Sequence, residues 1–370
     1  MNILNLDYEI IEQKYNKETL VEDMLKHIEL CGRNCYKSED KITEKSYEKF
    51  VERLIKSGHN AMLEHGTIYL TIVVGSPMMD PDYMLKTSIV DFFSKNKFSY
   101  VIKEEISHPV EIEINGFKTY AQPSGDFYYI TTNYRVIIEN KDKMFITSCL
   151  SEYKTEKKSL LELYKQYICV PSKKHMLRHS IMFTYQIAVA RDVNRHRVQS
   201  VAEESTRYCN YTKDKHGSGI NVIPPLRITD EQVSELNSLF NKQSTEEILT
   251  SLCKDYISGN SENWTDIDWW LFSNITADVT YNVLKNKFSW TNQDCSYVLP
   301  LGTKTCSIHT AFDCDWELFF DLRALGKTGA PRPSLKYLAC KLLFKFEELG
   351  LVKDYFEKNY KEIKSLEICK

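Results

Sequence analysis

The chain has 370 residues, of which 42% are apolar and 27% charged, with a formal net charge of -3. That length supports a sizeable core in one large domain or two ordinary ones. The near-neutral balance excludes a general attraction to nucleic acid or an anionic membrane, so any basic site has to be local.

Met1 to Glu9 lacks the basic start and apolar core of a signal peptide, and no apolar run approaches the roughly 20 residues of a membrane helix. The eleven cysteines include no Cys-x-x-Cys pair, which favours reduced, buried thiols over a zinc cage. A soluble cytoplasmic protein is expected.

In chain order, residues 18–33 and 43–57 place apolar side chains at three- and four-residue spacing, the pattern of two amphipathic helices, the second ending at Gly58. His59, Glu64 and His65 follow. They could ligate a metal, but His-Glu-x-x-His is absent and no third ligand cluster stands out, so none is expected. Residues 67–74 are a β-branched strand.

Residues 75–126, with Pro77, Pro81, Pro109 and Pro123 among short strand-like pieces such as 109–114, read as an insertion within a single domain spanning 1–370. A strand over 128–138, a helical stretch over about 142–166 and a central strand over 181–190 come next. Beyond a polar loop at 212–219, helices are expected over 229–243, 245–257, 265–285 and 333–348, with a strand at 306–311 between the last two. The 265–285 helix, rich in Trp and Phe, reads as core. The fold class is α+β: a mixed or mostly antiparallel sheet carrying the 67–74, 128–138, 181–190 and 306–311 strands, flanked by helices. There is no Rossmann glycine fingerprint and no P-loop.

The densest chemistry lies from Arg195 to Tyr208, where three arginines, a histidine, two carboxylates and two serines follow an apolar run. Arg195, His196 and Arg197 are consecutive and cannot support one another at i,i+4 as an ion-paired helix face would. They suit a large, multiply charged ligand. Ser205 and Arg207 add a hydroxyl and a guanidinium fork, ordinary phosphate ligands.

The pattern Arg195-His196-Arg197, seven residues, then Ser205, continued by Arg207-Tyr208, resembles the signature of flavin-dependent thymidylate synthases, particularly their longer members. The likeness recurs at His59, Glu64 and His65, in the Tyr/Thr-rich strand near 128, in the Leu299-Pro300 turn, and in Trp316-x-x-Phe319-Phe320-x-Leu322-Arg323. The chain departs from the pattern at Ala61, where a hydroxyl is common, and at Ala202, where an asparagine is. Ser296 replaces an arginine, and Arg332-Pro333 replaces His-Pro.

The resemblance implies reductive methylation of dUMP, with methylenetetrahydrofolate as carbon donor, FAD reduced by NADPH as hydride source, and no cysteine nucleophile. It implies Arg323 as the catalytic, ring-polarising residue. Asp192, Arg195, Glu203, Glu204, Ser205 and Arg207 fall in the dUMP-binding stretch, and His59, Ala61, Arg195, His196, Arg197 and Glu203 at FAD. It also implies a homotetramer with sites at subunit interfaces. Two alternatives stay open: a relative that hydroxymethylates or otherwise modifies another pyrimidine nucleotide, and a non-catalytic flavin- or nucleotide-binding scaffold. An isolated Leu-Arg would more simply pair Arg323 with Asp321, and Cys209, beside the cations, could be a nucleophile but reads as an inert buried thiol.

Overall fold

A computed structural model describes residues 1–78, 80–106, 110–114, 117–121, 125–148, 155–213 and 219–366. The site rests on a four-stranded antiparallel sheet in the order Ser200–Glu203, Lys304–Phe312, Arg178–Gln186, Asp7–Ile11. The two-residue period of a strand sorts the side chains of Arg178–Gln186. Ile181, Phe183 and Tyr185 join Trp316, Phe319 and Phe320 of helix Asp313–Arg323 and the buried face of helix Pro333–Glu348 in one core. Met182 packs on the opposite face against Cys31, Ala202 and Ile308.

A second antiparallel sheet joins Thr67–Val74, Gly125–Asn133 and Tyr100–Ile106. Helices Leu20–Asn34 and Ser46–Lys56 pack on it through Met24, Ile28, Phe50 and Leu54. The first helix comes very close to Gly66: a Cβ there would stand 2.6 Å from Ile28 Cδ1 and 2.9 Å from Met24 Cγ, so any larger residue would push both side chains aside. The second helix ends at Gly58, whose φ of 71° is the left-handed value a glycine adopts without strain.

A third core gathers helices Asp230–Lys242, Thr245–Ile257 and Asp266–Asn286. Each starts with a capping box, at Thr229/Gln232, Ser244/Glu247 and Thr265/Asp268. Strands Asn2–Ile3 and Asn221–Val222 pair in parallel, so the fold is α+β with mixed pairing.

Several expectations are corrected. The expected single sheet is two, with 67–74 in one and 178–186 and 304–312 in the other. The strand over 128–138 ends at Asn133, whose side chain accepts from Val136 N and starts helix Tyr134–Glu139 despite the β-branched run. In place of a helix over 142–166, strands Met144–Ser148 and Thr155–Ser159 pair. The helix begins only at Leu160, behind the Ser159/Glu162 capping box. The central strand stops at Gln186, where its partner strand begins at Lys304, and Ile187–Val193 is helical. Helix Asp266–Asn286 buries Leu271, Ile275 and Tyr281, while Trp269 is 46% exposed and packs with Tyr256, Trp264 and Phe272 on the surface. Pro109, Pro123 and 214–218 of the polar loop lie outside the described residues.

Candidate functional site

Strand Arg178–Gln186 delivers the chain into helix Ile187–Val193, and a tight turn then presents Arg195 to Gln199. In it His196 N donates to Val193 O, Arg197 N to Arg195 O and Gln199 N to His196 O. The turn sends alternate residues to opposite sides. Arg195 and Arg197 are exposed, with no carboxylate within ion-pair distance among the described residues. His196 is 6% exposed, its ring edge-on to Phe319 at 5.1 Å.

His196 meets Arg323. The Arg323 Nε–H donates to His196 Nε2 at 2.9 Å, and Nη2 donates to the Asp192 carbonyl at 2.9 Å. An accepting Nε2 requires the proton on Nδ1, a tautomer assigned from this contact. Burial, then the neighbouring guanidinium, lowers the His196 pKa to about 4, so the ring is neutral near pH 7.

Arg323 closes helix Asp313–Arg323, where the terminal carbonyls favour a cation. Burial depresses its pKa, Asp192 opposes that and Arg195 reinforces it. Arg323 and Arg195 therefore lie within electrostatic reach of each other. The simpler alternative, pairing with Asp321, does not form: that carboxylate goes to Lys327 at 2.7 Å and to the Tyr355 hydroxyl at 2.6 Å. No carboxylate among the described residues neutralises Arg323 within 4 Å. Asp192 turns its carboxylate away, to Arg332 Nε at 2.9 Å.

Glu203 ends strand Ser200–Glu203 beside this group. Asn194 Nδ2 donates to Oε2 at 2.8 Å and Thr305 Oγ1 to Oε1 at 3.4 Å. Burial raises its pKa and these bonds counter the rise. Glu204 faces the other way, 3% exposed, with Lys304 Nζ at 2.8 Å and Lys37 Nζ at 3.7 Å. Its Oε2 carries both lysine contacts, inside the protein.

Ser205 N donates to Cys35 O at 2.9 Å, docking the following turn against the end of helix Leu20–Asn34. Arg207 is exposed and uses Nε on Gln293 Oε1 at 3.1 Å. Ser296, which replaces an arginine, donates Oγ–H to the carbonyl of that same Gln293 at 2.6 Å. Cys209 is buried and inaccessible as a nucleophile.

His59, just before the turn Asn60–His65, and Ala61 on it are exposed. His65 points inward, its Nδ1 2.8 Å from Thr310 Oγ1, so the two histidines do not converge. Among the described residues no group of three His, Cys, Asp or Glu could hold a metal ion.

Sequence reasoning missed the supports. Thr310, Ser180 and His27 continue a buried chain from His65, with oxygens 2.6 Å apart and His27 Nε2 2.9 Å from Ser180. Gln199 Oε1 is 3.0 Å from His309 Nδ1, and Asn34 Nδ2 donates to the Ala202 and Cys306 carbonyls at 2.8 and 3.3 Å. Only Gln199, inside the charged stretch, carried a positional signal.

The structure thus defines a class: an α+β protein in which a half-buried arginine is held by a neutral histidine beside exposed arginines. The family model of the thymidylate synthase complementing protein (Thy1) matches residues 130–348, and the chain belongs to that family. Among solved structures, it is similar to Helicobacter pylori thymidylate synthase X crystallised with FAD and dUMP, at 16% identity over 48% of this chain and 72% of that one, TM-score 0.30. It is also similar to the UMP/dUMP methylase PolB of Streptomyces cacaoi bound with 5-Br dUMP, at 11% identity over 97% of both chains, TM-score 0.35. No curated protein matches the chain. Among the described residues, no helix is long and apolar enough to cross a membrane.

Proposed function

We propose that this chain is a flavin-dependent thymidylate synthase, a single cytoplasmic domain that converts dUMP to dTMP with methylenetetrahydrofolate as carbon donor and NADPH as reductant of FAD. Arg323 is the observation that carries this reading. Its Nε and one Nη2 hydrogen are fixed by His196 and the Asp192 carbonyl, leaving Nη1 and an uncompensated charge for a ligand.

A pyrimidine becomes nucleophilic at C5 only when negative charge building on its carbonyl oxygens is stabilised. A fixed guanidinium meets that need without reorganising. His196 contributes through Arg323: a neutral acceptor orients the fork without cancelling its charge.

FAD, when bound, supplies the hydride. The exposed, carboxylate-free Arg195 and Arg197 have the donors a diphosphate requires. Glu203, held by Asn194, offers a fixed acceptor beside them, and His59 and Ala61 offer the exposed backbone of their turn. Ser205 and Arg207 suit the nucleotide phosphate. Glu204 acts at one remove, by holding Lys304 behind that turn. Because Arg197, Arg207, His59 and Ala61 all face outward, a homotetramer whose subunits share sites fits the arrangement.

The test is to mix the protein with FAD, NADPH, methylenetetrahydrofolate and dUMP and identify the product by mass. A product 14 mass units heavier than dUMP is expected, by the arithmetic of adding one CH2 unit. Arg323→Ala should keep flavin and lose turnover; full activity in that variant ends the assignment. One observation favours a second reading. Arg332 grips Asp192, whose carbonyl holds Arg323, so the replacement of His-Pro reaches the reacting end of the site. Transfer of a one-carbon unit to another pyrimidine nucleotide would appear in the same experiment, run with UMP and dCMP, as a hydroxymethylated or methylated product.

A further inference from the structure

We infer that the cavity beside Arg178 binds a small organic monocarboxylate, with the Arg178 guanidinium as its counter-ion. Arg178 is 7% exposed and opens the central strand. Its Nη1 donates to Glu64 O at 2.9 Å and Thr67 Oγ1 at 3.3 Å, and Nη2 to Ser200 Oγ at 3.2 Å. Nε is buried with no hydrogen-bond partner among the described residues, and no carboxylate there comes within 4 Å of the group.

Buried charges in folded proteins are almost always paired, because the penalty for desolvating an unpaired one is severe. The face of the Phe312 ring, 5.2 Å from the guanidinium carbon, and the more distant Glu64 and Asp315 carboxylates relieve only part of that penalty. A cavity of about 230 Å³ adjoins the residue.

The walls select the ligand. Tyr15, Tyr69 and Thr67 bring hydroxyls, while Ile11 and Leu177 bring apolar surface. Burial raises the Tyr15 phenol well above its ordinary value, which keeps it a donor at neutral pH. Glu12 borders the same cavity and is solvent-exposed, so a second negative charge on the ligand is repelled. One carboxylate on a short apolar body satisfies all three walls; a phosphate dianion does not.

Position gives the site a consequence. Arg178 holds the carbonyl of Glu64, in the turn that carries His59 and Ala61, and the hydroxyl of Ser200, at the head of the strand that ends at Glu203. A carboxylate that fixes the guanidinium fixes both segments. The binding claim does not depend on the flavin and nucleotide reading, and it is tested without turnover.

The experiment titrates the full chain with benzoate, with butyrate and separately with inorganic phosphate at constant ionic strength, read by calorimetry and thermal unfolding. Saturable one-to-one binding of a carboxylate is expected, with the unfolding midpoint rising by a few degrees at about a hundredfold excess over Kd. Arg178→Met should weaken binding about tenfold or more, through loss of a charge-assisted bidentate contact. Leu177→Trp crowds the cavity and leaves the guanidinium in place, so it should also weaken binding while the ligand-free circular dichroism spectrum stays wild type. If Arg178→Met does not fold, Leu177→Trp decides. No saturable carboxylate binding, equal binding by the folded variants, or saturation by phosphate alone overturns the inference.

Discussion

Arg323 Nε stands 2.9 Å from His196 Nε2, a cation donating to a neutral imidazole within a family whose work is done on anions. A carboxylate at the same place would hold the fork more tightly and cancel the charge that the site has to offer. His196→Leu should therefore lower kcat by about 10- to 100-fold, the usual effect of removing a group that orients another, while KM for the nucleotide changes little. His196→Asp restores an acceptor but neutralises Arg323, and should recover less activity than His196→Asn. Recovery by Asp equal to that by Asn would sink this account of why a histidine stands there.

Acid sensitivity follows from the buried imidazoles. Burial lowers the pKa of His27 and His196 to about 4 and of His309 to about 3, against about 6.5 in the unfolded chain. The unfolded state takes up protons first as pH falls, so stability present above pH 6.5 is lost progressively toward pH 4. Each fully desolvated histidine contributes a slope approaching about 1.4 kcal/mol per pH unit in that window. Urea unfolding at pH 7, 6 and 5 measures it, and His309→Gln should remove one proton's worth of slope. An unchanged slope would mean His309 is accessible to protons in the folded state.

Arg195, Arg197 and Arg207 are exposed, and removing them should cost little stability, within about 0.5 kcal/mol for surface positions. Arg195→Ala and Arg197→Ala should release flavin, seen as lost yellow absorbance after gel filtration. Arg207→Ala should retain flavin and raise KM for dUMP about tenfold or more, as expected for one charge-assisted phosphate contact. Loss of flavin in Arg207→Ala and its retention in both other variants would reverse the assigned division of labour.

What the sequence disclosed and what it hid divide along physical lines. Capped helices such as Asp230–Lys242 and Thr245–Ile257 were legible because both period and start signal are local. The strand ends at Asn133 and Gln186 were not, since a side-chain cap decides the first and the limit of the partner strand at Lys304 the second. In the site, Arg323 and the charged turn stood out by pattern, but the His196–Arg323 bond joins residues 127 apart in sequence. Glu204 shows the converse limit. Neighbouring carboxylates at 203 and 204 look alike in a charged run, yet Glu203, at the strand's end, meets Asn194 and Thr305 while Glu204, just beyond it, turns inward to Lys304.

That buried carboxylate gives the strongest stability prediction. Burial disfavours the Lys304 ammonium, yet Glu204 at 2.8 Å and the Cys306 thiol together outweigh it and raise the lysine pKa. Glu204→Gln leaves Lys304, whose side chain is 13% exposed, with a neutral partner, and breaking such a pair costs about 3–5 kcal/mol. Lys304→Met leaves the opposite charge, which Lys37 at 3.7 Å partly relieves, so its cost should be smaller. The double variant Glu204→Leu, Lys304→Met removes both charges and should recover most of the loss, because exchanging a whole buried pair for apolar groups is close to neutral. Denaturant midpoints of wild type, both single variants and the double variant complete the cycle. If the single losses simply add, the pair is not coupled and Glu204 has a purpose other than the one argued.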